Sequence, residues 1–336
     1  MEYRLLGRSG LRVSELCLGT MTFGHGTDET EAQRMVDRAL DAGVTFFDTA
    51  NSYADSRSET ILGKALGSRR DDVVLATKFY NPMGTGPNDS GMSRYHIMQA
   101  IEGSLRRLGT DHVDIYYIHH VDQHTPLEEM LRAVDDLVHQ GKVRYIACSN
   151  YEAWRLVEAL WTSEANGLAR FVCHQPQYSL VVRDIEVDVL PVCERKGLGV
   201  VTWGPLAGGF LSGKYRPGER RKPGTRSEEG WVFPESFFAP NADETLAALL
   251  SVAAELDKSP AETAIRWLLE QSLVSSVIVG ARTLAHLETN LKAAEWRMPD
   301  TALRRLTDVS APRVPYPEAM EWPRDAVRLQ AIAKKR

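Results

Sequence analysis

Three apolar runs in this chain each end in a titratable side chain: Phe46-Phe47 leads into Asp48, Leu75-Ala76-Thr77 into Lys78, and Tyr116-Tyr117-Ile118 into His119. Tyr53 follows Asp48 by five residues, in the loop after the same run. A phenol with a reference pKa of about 10 is a poor proton donor at neutral pH. A neighbouring ammonium stabilises the phenolate, so Lys78 is expected to lower the pKa of Tyr53. A carboxylate beside the lysine keeps it charged and in place, and an imidazole orients a carbonyl oxygen next to the phenol. Such a set protonates an oxygen while something else attacks the carbon, and the missing party is a hydride donor. Taken singly, each residue has a plainer reading: a helix cap, a solvated lysine, a core histidine. Only convergence on one rim makes them chemistry.

The elements that must bring them together are legible as alternation. Eight short apolar runs, at 14–20, 44–50, 72–79, 112–119, 142–149, 170–175, 199–204 and 275–281, have the character of parallel strands buried on both faces. Helical patterns separate them. Asp28 can cap the first, which runs toward Gly43. Ser93 opens a helix carrying Ile97, Ile101, Leu105 and Leu108, closed by Gly109, and Ser259-Pro260 opens another. Thr125-Pro126-Leu127-Glu128 reads as a capping box with proline at the first helical position, ahead of a stripe of Leu131, Val134, Leu137 and Val138 that Gly141 stops. Eight strand-then-helix units predict a closed (β/α)₈ barrel of the α/β class, spanning residues 1–336 as one unit. The rival is an open doubly wound sheet with a Gly-x-Gly-x-x-Gly turn. Here that turn reads Gly24-His25-Gly26-Thr27-Asp28-Glu29, without the third glycine. Residues 1–14 read as a hairpin turning at Gly7 to Gly10, placed to cover the barrel bottom. Residues 214–240 form a long loop, and 312–336 a tail with a short helix near 324–332.

Among 336 residues, 40 Lys and Arg against 45 Asp and Glu give a net charge of −5, too acidic a balance to draw in nucleic acid. The first ten residues lack the apolar run of a secretory signal, and no stretch is long and apolar enough to span a membrane. Cys17, Cys148, Cys173 and Cys193 form no Cys-x-x-Cys pair and read as reduced, mostly buried thiols of a cytoplasmic protein. No metal site is expected: His119, His120 and His124 lie close in sequence, but strand alternation directs the first two to opposite faces.

The stretches LGRSGLRVSELCLGTMTFG, FFDTANSYADSRSE, LATKF, DIYYIHH, GKVRYIACSN, WGPLAGGFLSGKY and VIVGARTLAHLETN occur in this order along almost the whole chain. In them the sequence resembles the aldo-keto reductase superfamily, most closely its microbial members related to the potassium-channel β subunits. The resemblance implies a catalytic tetrad of Asp48, Tyr53, Lys78 and His119, with Tyr53 as the general acid in reduction and the base in oxidation. It also implies a nicotinamide dinucleotide laid across the barrel top without the glycine fingerprint. Ser149, Asn150 and Gln175 match positions that bond the nicotinamide amide, and Trp203 matches the aromatic that stacks on its ring. Leu206, Gly208, Leu211, Gly213 and Lys214 match the pyrophosphate segment. Gly280 and Arg282, followed by His286 and Asn290, match the adenosine-phosphate end. Arg282 can pair with a 2′-phosphate, which favours NADPH, with NADH possible. His286 and Thr289 depart from the glutamine and glutamate common in the nearest relatives.

Wall candidates for the substrate pocket are Met21, Phe23, Tyr80, His120, Trp231 and Phe233, a set suited to a bulky or apolar carbonyl compound. The expected activity is NADPH-dependent reduction of an aldehyde or ketone. A keto-sugar nucleotide or a secondary-metabolite ketone is the alternative substrate. The reading from another class is a non-catalytic NADPH-binding accessory subunit, against which the channel subunits carry asparagine where this chain has His119. Oligomeric state is not legible.

Overall fold

The computed structural model describes residues 1–220, 239–317 and 319–320. The expected barrel is present. Eight parallel strands close in the order β10-β3-β4-β5-β6-β7-β8-β9, where β3 is Leu16–Gly19, β4 Phe46–Asp48, β5 Val74–Phe79, β6 Val113–Ile118, β7 Val143–Ser149, β8 Cys173–Gln175, β9 Gly199–Thr202 and β10 Val274–Gly280. Helices follow the strands: α1 Glu29–Asp41, α2 Arg57–Leu66, α3 Arg94–Leu108, α4 Leu127–His139, α5 Ala153–Asn166 and α6 Val189–Lys196. Two helices, α7 Ala242–Glu255 and α8 Pro260–Leu269, lie between β9 and β10. After β10 come α9 Leu284–Leu291 and α10 Asp300–Val309.

Alternation within these buried strands sorts side chains into two layers. Cys17, Phe46, Ala76, Ile115, Tyr117, Ala147, Cys173, Val201 and Ile278 fill the barrel interior. Their neighbours, such as Leu16, Leu18, Phe47, Leu75, Tyr116, Ile118, Cys148 and Val200, face the helices. Each interior residue therefore fixes what lies two places on. Phe46 is followed at that distance by Asp48, Ala76 by Lys78, Tyr117 by His119, Ala147 by Ser149, Cys173 by Gln175 and Val201 by Trp203. A period of two thus puts all six at the same end of the interior, the C-terminal end of the strands.

The N-terminal hairpin also forms, with β1 (Tyr3–Leu5) antiparallel to β2 (Arg12–Ser14). It closes the opposite end: Leu6 and Val13 are fully buried among the interior residues, and Arg8 N donates to Gly197 O at 2.9 Å. Gly7 makes this approach possible, because a Cβ there would lie 2.4 Å from Gly199 N.

The helix starts are mixed. Asp28, Ser93 and Ser259 cap as expected, and Ser259 forms the full reciprocal box with Glu262. The box expected at Thr125 does not form. The Thr125 hydroxyl donates instead to Asp122 Oδ2 at 2.7 Å, and Pro126 sits one place earlier than expected, as the residue before the helix. The helix begins at Leu127 with Pro126 in the cap position, so Thr125 lies one place before the cap. All four cysteines are buried and unpaired. Among the described residues, no helix is long and apolar enough to cross a membrane. Most of loop 214–240, with Trp231 and Phe233, and the helix expected near 324–332 lie outside the described residues.

Candidate active site

Lys78 is the centre of the site. Its side chain is fully buried, and its ammonium has three oxygen partners: the Asp48 carboxylate, Thr49 O at 2.9 Å and the Tyr53 hydroxyl at 3.3 Å. An ammonium has three protons, so these partners satisfy it completely. Burial works against its charge, but Asp48 first and Tyr53 second outweigh burial and raise the pKa of Lys78 above the usual lysine value. The other oxygen of Asp48 accepts from Gln175 Nε2 at 2.9 Å, and Gln175 O accepts from the Ser149 hydroxyl at 2.7 Å. The sequence did not mark Thr49; its contribution is a backbone carbonyl, which any residue type supplies.

Tyr53 stands on an unusual piece of backbone. Ala54, Asp55 and Ser56 follow it with φ of 49°, 53° and 71°, three consecutive left-handed residues without a glycine. Each costs on the order of 1 kcal/mol, so tertiary contacts must hold the turn. Ser58, two residues on, supplies them. Its hydroxyl donates to Thr20 O at 2.7 Å and lies within hydrogen-bond reach of Thr20 Oγ1 (2.9 Å) and Thr49 Oγ1 (3.0 Å). The expected lowering of the Tyr53 pKa is not the net result. Burial raises it more than the Lys78 charge lowers it, and Asp48 raises it further. Tyr53 therefore keeps its proton at neutral pH, which is the state a general acid needs.

His119 completes the cluster. Its ring centroid lies 5.8 Å from that of Tyr53, at 77°. Burial, then Lys78 and His120, hold its pKa well below the usual histidine value, so the ring is neutral at pH 7. His120 does not turn to the opposite face. The two imidazoles stack at 4.5 Å and 12°: His119 N still bonds Phe79 O at 3.1 Å as the strand does, and His120 lies one residue past that, where strand alternation no longer governs. Tyr80 meets His120 edge-on at 5.4 Å. Met21, Tyr80 and His120 are half-buried, as pocket walls would be. Phe23 is not: it is fully buried in the outer apolar layer and lines no open surface. A separate cavity of about 360 Å³ lies among Met92, Asp122, Tyr151, Arg155 and Glu158, and none of the tetrad lines it.

The residues matched to a dinucleotide also come together in part. Asn150, at φ 60°, donates from Nδ2 to His119 O at 3.1 Å and accepts from Trp203 Nε1 at 3.0 Å. Beyond Trp203 the backbone is left-handed at Gly204, Ala207, Gly208, Gly209 and Gly213. Such a run turns successive amides toward one side and leaves room for an anion close to the main chain. Leu211 is fully buried, so only its backbone is available to a ligand, whereas Leu206 is half-buried. Across the barrel top, burial and then Lys214 and Arg282 lower the pKa of His286, which shows that the three share one neighbourhood. The Gly280 carbonyl accepts from Asn290 Nδ2 at 3.3 Å, and Thr283 caps α9. A chain of left-handed amides leading to a basic neighbourhood at a helix start fits a diphosphate-linked, phosphorylated ligand.

His174 adds a pH dependence of stability beneath the site. It lies between Cys173 and Gln175, and its Nε2 accepts from Tyr151 N at 3.1 Å. Burial pushes its pKa down to about 3. A histidine depressed on folding contributes stability that is complete above its unfolded pKa of about 6.5 and is lost as pH falls through the folded value. Lowering the pH from 6.5 to 4.5 is expected to cost roughly 2 kcal/mol from this residue alone. Urea unfolding at the two pH values checks it: His174→Gln should flatten the dependence, and an unchanged slope would remove His174 as its source.

The comparisons agree with this geometry. A sequence model described as the aldo/keto reductase family matches residues 15–311. The chain is 42% identical over 334 residues to the uncharacterized oxidoreductase YrpG of Bacillus subtilis (strain 168), covering 96% of this chain and 100% of that one. It is 40% identical over 303 residues to a probable voltage-gated potassium channel subunit beta of Oryza sativa subsp. japonica, covering 88% and 92%. A similarly described protein of Arabidopsis thaliana is 37% identical over 301 residues, with the same coverage. With the closed barrel, a family match across most of its length and relatives this similar, the chain belongs to the aldo/keto reductase family and is an oxidoreductase that acts on carbonyl compounds.

Proposed function

We propose that this enzyme reduces an aldehyde or ketone to the alcohol with NADPH, and that Tyr53 donates the proton. The observation that carries the reading is the complete coordination of the buried Lys78 ammonium by Asp48, Thr49 O and the Tyr53 hydroxyl. When bound, the reduced nicotinamide supplies the hydride. The carbonyl oxygen, becoming an alkoxide, takes the Tyr53 proton, and Lys78 stabilises the phenolate left behind. Neutral His119 offers an N–H to the same oxygen and helps hold the carbonyl in line.

Asn150, Ser149 and Gln175 would hold the nicotinamide amide. Ser149 and Gln175 already spend donors inside the protein, which leaves the hydroxyl oxygen of one and the side-chain carbonyl of the other to accept. Trp203 would lie against the ring, the segment from Leu206 through Gly208 and Gly213 to Lys214 would hold the pyrophosphate, and Arg282, His286 and Asn290 the adenosine end.

NADPH consumption by the purified protein, followed with a panel of aldehydes, ketones and keto-sugar nucleotides, tests the reading and ranks the substrates. Two relatives are named as channel subunits, which motivates the accessory-subunit reading. Tight NADPH binding without turnover on any carbonyl would favour that reading instead. Arg282→Ala is expected to raise the KM for NADPH about 10- to 100-fold, the worth of one or two bonds to a charged phosphate, and the KM for NADH far less. Equal changes for both cofactors would remove Arg282 as the 2′-phosphate contact.

A further inference from the structure

Among the described residues, His119 lacks the bond that ordinarily fixes a catalytic imidazole. Its Nδ1 is buried with no hydrogen-bond partner among them, although in such rings the second nitrogen usually sets the plane by bonding a carbonyl or carboxylate. The main chain is held, since Asn150 Nδ2 donates to His119 O at 3.1 Å, but this leaves the side-chain torsions free. What the ring has instead is aromatic packing. Tyr53 touches it edge-on, and His120 covers it face to face at 4.5 Å and 12°. His120 is itself backed by the edge of Tyr80 at 5.4 Å. Tyr80 has φ 149°, a conformation side chains rarely adopt, and its carbonyl is tied to Gly91 N at 2.8 Å. The four rings therefore form one row: Tyr53, His119, His120, Tyr80.

We propose that His120 is a positioning residue whose ring, wedged between His119 and Tyr80, sets the plane of His119 and so the direction of its hydrogen bond to the substrate oxygen. This rests on the carbonyl-reductase reading above. Burial and the Lys78 charge hold the pKa of His120 below the usual value, so both imidazoles are neutral at pH 7 and can stack without repulsion. The stack needs a flat ring and not an imidazole. A phenylalanine should replace it, and an alanine should leave His119 free to rotate.

The test compares His120→Ala and His120→Phe in the full chain. His120→Ala is expected to lower kcat on the order of 10- to 100-fold, as small misplacements of catalytic groups do, while the dissociation constant for NADPH stays within about twofold. His120→Phe should recover most of the lost kcat. The proton resonance of His119 Cε1, assigned by its disappearance in His119→Gln, should move downfield in His120→Ala, where the shielding ring is gone, and stay near its wild-type position in His120→Phe. Wild-type kcat and an unmoved resonance in His120→Ala would overturn the proposal, as would equal losses of kcat in both variants. If the wild-type protein turned over no carbonyl, the reductase reading would fall, and the resonance would still decide whether His120 holds the ring.

Discussion

Tyr53→Phe should lower kcat for carbonyl reduction by about 10²- to 10⁴-fold, the usual worth of a positioned general acid. The substitution deletes one oxygen. The ring keeps its edge contact with His119, and Lys78 keeps its bonds to Asp48 and Thr49 O. Binding of NADPH, read by protein fluorescence, should therefore change little while kcat collapses. The protonation state favours this outcome: burial keeps Tyr53 a phenol at neutral pH, and Lys78 makes the phenolate tolerable once the proton has gone. Wild-type turnover in Tyr53→Phe, assayed with the best substrate of the panel, would remove the mechanism.

Asp48→Asn should be the most destabilising single change in the site. Its carboxylate receives the fully buried Lys78 ammonium on one oxygen and the Gln175 amide on the other. An asparagine has only one oxygen, so it presents an NH₂ to either Lys78 or Gln175, and that donor loses its acceptor. Breaking a buried ion pair from one side costs about 3–5 kcal/mol, because the remaining charge stays out of water. Burial then acts on Lys78 with less opposition, and its pKa should fall. Urea unfolding should show the loss. Asp48→Asn combined with Lys78→Met should restore much of the stability but none of the activity. Additive losses in the double variant would contradict the pairing. The sign in pH follows from the raised Lys78 value: the lysine's contribution is complete below about pH 10.4, its usual value, and is lost as pH rises through the higher folded value.

Much of this protein was legible one residue at a time. Eight apolar runs separated by capped helical patterns gave the barrel, because strand and helix periods are local properties and a closed sheet needs little else. Three of the four tetrad positions were legible for the same reason. Once Phe46, Ala76 and Tyr117 face inward, a period of two carries Asp48, Lys78 and His119 to one rim. Where the sequence misled, the tertiary setting decided the outcome. Thr125 caps nothing because the helix begins one residue late, at Leu127, and Pro126 holds the cap position. Phe23 reads as a wall residue but is sealed in the core between barrel and helices.

The sequence by itself determined the strand count, the order of the site residues and their chemical types, since these follow from spacing and side-chain identity. Only the tertiary structure decided how those groups titrate and what holds them. Lys78 stays charged because its converging oxygens outweigh burial, Tyr53 stays protonated because burial outweighs the Lys78 charge, and burial is a property of the closed barrel. The stacking of His120 on His119 has the same origin: the pairing with β5 reaches His119, and from His120 onward contact replaces periodicity as the force that places a side chain.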